Sequence, residues 1–415
     1  MVFKNVRQYC NLGFFLLSLT SCIDEGKVDP LEEILGSLPG EYEEVVSNRK
    51  QYGLQILYSQ IDRDKDNQPQ LTTWSYHGDS SAYFYPASTI KLPITLLALE
   101  KINRINIPGL KSTSAMLTDS TYSGQTKVLY DSSAESLKPS VAHYIKKVFL
   151  VSDNDASNRL YEFLGQEYIH DALVSKGFLN SGILHRLSIF LSADENRHTN
   201  PVRFYEHDTV VYQQSMQVGS PLFTERKDIL LGKGYMMGDS LVSEPMDFSE
   251  KNFMSLGDLH NLLIETIFPG VLQGTPLFEL TMEDYNLLYK YMSMYPAESD
   301  YPFYGDKYPD NYCKFIMYGD NTDRLPGQIR LFNKVGLAYG YVIDVAYVVD
   351  FEKRIEFFLS AVIDVNLNRV YMDDNYAYDS LAFPFFTELG KAVYNYELNR
   401  DRTYHPDLKR FKFDY

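Results

Sequence analysis

Residues 88–102 read S-T-I-K-L-P-I-T-L-L-A-L-E-K-I. Apolar side chains occupy nearly every face at helical spacing, which describes a helix buried all round rather than an amphipathic surface helix. Pro93 falls within the first two turns, where it is tolerated at some cost. Ser88 and Lys91, three residues apart, lie on one face of that helix about a turn from each other. A serine is a poor nucleophile until a neighbour takes its proton. A lysine held among apolar side chains has its charged form disfavoured, so its amine can act as that base. The helix N-terminus adds backbone N–H groups and a positive dipole end where oxyanion charge would develop. The spacing alone decides nothing, because Ser47-Asn48-Arg49-Lys50 repeats it within the charged stretch Glu41–Gln51, where a solvated helix face is the better reading. Ser88 opens a buried helix and Ser47 does not.

Working outward, Tyr52–Ile61 and Gln70–Tyr76 read as two early antiparallel strands joined by the charged turn Asp62–Asn67. The middle of the chain is helical in pattern at Ser140–Leu150, Ala156–Leu164, Ser255–Ile267 and Thr281–Tyr295. Between these, Val202–Asp247 has mixed character and reads as an inserted hairpin or lobe, and Tyr295–Tyr312, rich in Tyr, Pro and Asp, as a long loop. Strand patterns return at Ile329–Val335, Val342–Val349 and Ile355–Ile363, before a terminal helix around Ser380–Leu398. Early strands, a helical middle and late strands predict an α+β fold: an antiparallel sheet formed by both chain ends, flanked by helices, plus an all-helical lobe over about 104–324.

Two further elements carry chemistry. Ser152-Asp153-Asn154 stands between two helix patterns. Its hydroxyl could relay a proton and its amide could orient Lys91 and a substrate carbonyl; a helix-capping turn explains the same three residues. Lys334-Val335-Gly336 is the only K-x-G in the chain and lies on the first late strand. Lys334 could attract a substrate carboxylate and Gly336 could let a ligand approach the strand edge. A strand-end lysine beside a turn glycine is the alternative.

Taken together and in this order, S-x-x-K, S-D-N and K-x-G resemble the motif set of the class A β-lactamases and penicillin-binding proteins, in which the third motif is K-T-G. The resemblance extends to F-Y-P-A-S-T-I-K-L-P at Phe84–Pro93, S-D-N-D-A-S-N-R-L at Ser152–Leu160 and L-P-G-Q-I-R-L-F-N-K-V-G at Leu325–Gly336, and covers roughly Tyr52–Tyr396. It implies that Ser88 attacks the carbonyl, Lys91 activates it, Ser152 shuttles the proton, Asn154 positions substrate and Lys334 meets the carboxylate. It also implies an oxyanion hole from the backbone N–H groups of Ser88 and Leu337, the residue after Gly336.

Two departures bear on activity. Val335 replaces the hydroxyl residue of K-T-G, removing a donor to the substrate carboxylate. Class A enzymes also carry a Glu two residues after an Arg, and that Glu activates the deacylating water; here Arg186 is followed by Leu187 and Ser188. The downstream D-E-N-R-H-T-N-P at Asp194–Pro201 resembles the end of that loop, so Glu195 could substitute only if the loop is rearranged. The expected activity is therefore that of a β-lactamase-like serine hydrolase forming an acyl-enzyme with a β-lactam or related amide or ester, with weak turnover. A D,D-peptidase acting on peptidoglycan peptides is the alternative within the same mechanism. A binding lipoprotein that has lost turnover is the alternative of another class.

Bulk properties bound the rest. A formal charge of −16 over 415 residues argues against nucleic acid as a partner. Lys4 and Arg7, the apolar run Leu12–Leu19 and then Leu19-Thr20-Ser21-Cys22 resemble a lipoprotein signal peptide over residues 1–21. On that reading Cys22 carries a lipid that anchors an exported protein in the bacterial cell envelope. Residues 22–40 would be a tether, 41–400 the catalytic domain and 401–415 a C-terminal tail. Cys313 is then the one remaining cysteine, read as a buried apolar residue. No His or Cys spacing suits a metal, and no cofactor is expected.

Overall fold

The computed structural model describes residues 29–220 and 227–415; the signal-peptide and Cys22 readings lie outside them. The segment expected as a tether is, from Asp29 on, part of the folded body. Helix α1 (Leu31–Gly36) buries Leu31, Ile34 and Leu35, so its apolar side chains anchor it to the core. Strands β1 (Gln55–Arg63) and β2 (Pro69–Tyr76) follow as an antiparallel pair. Their turn is held by Asp64, whose Oδ1 accepts the N–H groups of Asp66 at 2.9 Å and Gln68 at 2.8 Å, the local side-chain bonding that makes Asp a turn residue.

A 3-10 turn at Ala87–Ile90 leads into helix α2 (Lys91–Ile105). This helix is buried from Lys91 to Glu100, as its apolar sequence requires. Pro93 lies in the first helical turn, where the missing N–H removes no intrahelical bond. Beyond it come β3 (Ala115–Thr118), α3 (Val141–Val151), α4 (Asn154–Leu164), α5 (Gln166–Ser175) and α6 (Ala193–Arg197). The hairpin β4 (Val202–Glu206) and β5 (Thr209–Gln214) precedes helices α7 (Leu256–Ile267) and α8 (Met282–Ser293).

The lobe is not all-helical. β3, β4 and β5 form a three-stranded antiparallel sheet inside it, so the start of the inserted segment 202–247 completes a sheet rather than standing apart. Further along that segment, Gly234–Met237 pairs in parallel with Val370–Tyr371, which ties the lobe to the chain end.

Strands β6 (Ile329–Ala338), β7 (Tyr341–Asp350) and β8 (Ile355–Asp364) complete a five-stranded sheet in the order β6-β7-β8-β1-β2, antiparallel throughout. Both chain ends thus build the sheet, as the strand patterns at the two ends predict. On β7, Ile343, Val345 and Tyr347 enter the core shared with the helical lobe, while Val342, Ala346 and Val348 enter the core beneath helix α9 (Phe383–Asn399). This is the two-residue period of a strand covered on both faces, and each fully buried side chain of this size contributes about 1.5–3 kcal/mol.

The last segment, expected as a tail, is packed down as well. Phe411 is fully buried, with its ring 5.1 Å from Tyr347 and 5.3 Å from Tyr289 and Phe332. Among the described residues no helix is long and apolar enough to cross a membrane.

Candidate active site

Ser88 stands where α2 begins and meets the open edge of the sheet. Pro86 O accepts both the Thr89 N–H at 3.0 Å and the Thr89 hydroxyl at 2.6 Å, which pins the turn that carries the serine. Ala87, just before it, has φ of +48°, a left-handed conformation that costs an alanine about 1–3 kcal/mol. The turn lies against β6 at Gly336, where a Cβ would meet Pro86 O at 2.7 Å and Thr89 Cγ2 at 3.1 Å. Glycine is required there because the serine turn needs the space.

The hairpin β6–β7 reverses through Tyr339 and Gly340, both at positive φ, with Ala338 opposite Tyr341. In a two-residue hairpin of this kind the flanking residues exchange hydrogen bonds and the pairing then alternates. Leu337 is consequently one of the residues whose N–H points off the free edge of β6. Gly336, the residue before it, is the one that lies against the turn carrying Ser88.

Lys91 is completely buried. Its Nζ contacts Asn154 Oδ1 at 2.7 Å, Ser152 Oγ at 3.2 Å and, closest of the three, Ser152 O. Burial first, and then the charge of Lys334, hold this amine well below the ordinary lysine range. Ser152 sits between α3 and α4 at φ +54°. Asp153 is the residue that caps α4, accepting the Ala156 N–H at 2.8 Å. The capping reading of S-D-N therefore holds for Asp153, which leaves the side chains of Ser152 and Asn154 to face Lys91.

Lys334 Nζ donates to Ser152 Oγ and to Val335 O, both at 2.9 Å. Burial pushes its amine down to about 8. Lys91 Nζ is within donor reach of Ser152 Oγ; with Lys91 neutral and Lys334 charged, Lys334 would donate to Ser152 Oγ, the Ser152 hydroxyl to Lys91, and Lys91 to Asn154 Oδ1 and Ser152 O. A continuous path from Lys91 through Ser152 to Lys334 results. The Ser88 hydroxyl makes no hydrogen bond among the described residues.

The loop that could supply a second base does not. Ser188, at φ +56°, accepts a hydrogen bond from Asn154 Nδ2 at 2.8 Å. Arg186 turns inward to donate to Glu195 O at 3.1 Å and His198 O at 2.9 Å. Glu195 is half-buried, and its carboxylate accepts from Ser123 Oγ at 2.7 Å and from Ser192 N and Oγ, both at 2.9 Å, as the acid of the capping box on α6. Those bonds, the one from Ser123 foremost, lower its pKa. The rearrangement that would bring Glu195 to the site is absent: among the described residues no carboxylate hydrogen-bonds Lys91, Ser152, Asn154 or Lys334.

Behind Lys334 lies a polar cluster that sequence reading missed. Lys314 Nζ donates to Asn333 Oδ1 and Met292 O, both at 2.6 Å. Asn333 Nδ2 donates to Asp344 Oδ1 at 2.8 Å, and Asp344 Oδ2 accepts the N–H groups of Phe315 and Ile316 at 3.1 and 3.0 Å. The available signal was Asp344 itself, a lone charge in the apolar run Y-V-I-D-V-A-Y-V. Cys313 is buried beside this cluster. Among the described residues no group of three His, Cys, Asp or Glu side chains is placed to hold a metal ion.

Residues 52–215 match the model of the Beta-lactamase enzyme family. The matched span contains Ser88, Lys91, Ser152 and Asn154, and Lys334 joins them in space from beyond it. No curated protein matches the chain. Solved structures of similar shape include a β-lactamase from Sphaerobacter thermophilus, 11% identical, with a TM-score of 0.46 over 88% of this chain and 96% of that one. A class A β-lactamase from Clostridium kluyveri is 14% identical, with a TM-score of 0.46 over 86% of this chain and 99% of that one. PBP-A is 15% identical, with a TM-score of 0.47 over 86% of this chain and 100% of that one. Over residues 52–215 the chain is thus similar to the Beta-lactamase enzyme family, and its three motifs stand in the order found in the serine β-lactamases and penicillin-binding proteins.

Proposed function

We propose that this protein is a serine acyl-transfer hydrolase that opens a β-lactam, or a related amide or ester bearing a carboxylate, and holds the resulting acyl-enzyme on Ser88. The observation that carries the reading is the junction of Lys91, Ser152, Asn154 and Lys334 by hydrogen bonds beside the turn that presents Ser88. Neutral Lys91 takes the Ser88 proton as Oγ bonds to the carbonyl carbon. The oxyanion is held by the N–H groups of Ser88 and Leu337. The proton then passes from Lys91 through Ser152 Oγ to the leaving nitrogen, the C–N bond breaks, and an ester on Ser88 remains. Lys334, with one N–H left after Ser152 and Val335 O, receives the substrate carboxylate.

Release of the ester needs a base beside a water. Ser188 in place of a carboxylate, and Glu195 spent on the α6 cap, support an ester that forms faster than it hydrolyses. That partition favours the penicillin-binding type of behaviour over rapid antibiotic turnover, and a D,D-peptidase reaction on peptidoglycan peptides uses the same residues. The reading includes export and attachment to the cell envelope through a lipid on Cys22. A chromogenic cephalosporin mixed rapidly with the protein tests the partition. Expected is a burst of one ring opened per protein molecule followed by a slow steady rate. Steady turnover from the first instant, with no burst, would overturn it.

A further inference from the structure

A second concavity lies at the other side of the sheet from Ser88. It is bounded by β1, β2, the C-terminal turn of α9 and the chain just after it, has a volume of about 740 Å³, and shares no residue with the serine site. β2 is the outer strand opposite β6, four strand spacings away, or about 19 Å. A cavity of this size is in the range that holds a ligand of a few rings.

Its lining combines flat aromatic surface with unused polar groups. Trp74, the only tryptophan of the chain, stacks on Tyr58 with ring centroids 5.7 Å apart and planes 14° from parallel. That contact fixes the indole, whose remaining partly exposed surface lines the cavity together with Tyr396 and the exposed Tyr404. The side chains of Gln70, Asp401 and Thr403 also line it and make no hydrogen bond or ion pair among the described residues. The two arginines in the wall are committed elsewhere. Arg63 pairs with both oxygens of Glu356 at 2.5 and 2.6 Å. Arg400 binds Asp62 Oδ1 at 2.6 Å, Ile61 O at 3.0 Å and Glu397 Oε2 at 3.0 Å.

With its cations neutralised, the cavity offers nothing to a phosphate or carboxylate, whose desolvation needs a paired positive charge. Charged and amide groups throughout its wall make it unsuitable for a lipid chain. What matches is a molecule with flat C–H faces for the rings and hydroxyl groups around its edge for the amide, carboxylate and hydroxyl. We propose that this cavity is a binding site for a neutral oligosaccharide, with Trp74, Tyr396 and Tyr404 as its stacking surface and Gln70, Asp401 and Thr403 as its hydrogen-bonding rim. The inference is independent of what Ser88 does.

The single tryptophan makes the test direct. The full chain is titrated separately with tri-N-acetylchitotriose and with cellotriose while tryptophan emission is followed. Expected is a saturable shift with at least one of the two, with a Kd of about 1 mM or tighter. The shift should be unchanged in Ser88→Ala and lost in the double variant Asp401→Ala with Tyr404→Ala, whose exposed positions leave the circular dichroism spectrum unaltered. No saturable shift with either sugar, a shift that survives the double variant, or an equal shift with inorganic phosphate would overturn the proposal.

Discussion

Replacing Gly336 with alanine tests how the serine turn is seated. The new Cβ would stand 2.7 Å from Pro86 O and 3.1 Å from Thr89 Cγ2, both inside van der Waals contact. To relieve it, the 86–89 turn has to withdraw from β6 by about 0.5 Å. Overpacking on this scale costs about 1–3 kcal/mol. On the proposed mechanism the displacement moves Ser88 away from the Leu337 N–H, its partner in holding the oxyanion. Misplacement by about 1 Å costs about a hundredfold in rate, so half of that predicts a loss of about tenfold. The assay is the rate of acyl-adduct formation by quenched-flow mass spectrometry, read beside a thermal melt. A Gly336→Ala protein that is acylated as fast as the parent would refute the claim that this contact sets the serine.

Other perturbations follow from the same geometry. Because Lys334 is charged only below its pKa of about 8, acylation by a carboxylate-bearing β-lactam should fall as pH rises through that value. The limb should disappear in Lys334→Arg, and a limb that stays would assign it to another group. His260 is buried between Ser59 Oγ and Ser360 Oγ, each at 2.7 Å, and burial lowers its pKa to about 3. Between that value and about 6.5 the unfolded chain binds a proton that the folded one does not, so stability is lost as pH falls through this window, by up to about 4–5 kcal/mol. Denaturant melts at pH 7 and pH 4 should show the drop, and His260→Gln should lack it; an equal drop in the variant would contradict the assignment. Phe411→Ala should lower stability by about 3–5 kcal/mol, measured by urea unfolding, whereas a change below about 0.5 kcal/mol would return residues 401–415 to the status of a tail.

The sheet and the main helices were legible because their signals are local. β6, β7 and β8 are long alternating or wholly apolar runs, and Ser140, Asp153, Ser255 and Thr281 cap the helices that follow them. The lobe's small sheet was hidden, since β3 has four residues and β5 is largely exposed. The last segment was misread for a related reason: Leu408 and Phe411 stand among charges, and only the fold shows the aromatic pocket that receives them. At the site, Ser88 and Lys91 share one helix and could be paired from spacing. The Lys314–Asn333–Asp344 cluster joins three separate segments, and no spacing rule reaches it. Glu195 shows the converse, an acid in a plausible place whose hydrogen bonds are already used.

On the proposed mechanism Ser88 becomes acylated and stays so. Its most direct test is peptide mapping of the protein after a brief exposure to penicillin, beside a Ser88→Ala variant treated identically. Expected is one penicilloyl group per chain, on the peptide containing Ser88, persisting after free antibiotic is removed and absent from the variant. A label on another residue, or an unlabelled Ser88 peptide at saturating antibiotic, would contradict it.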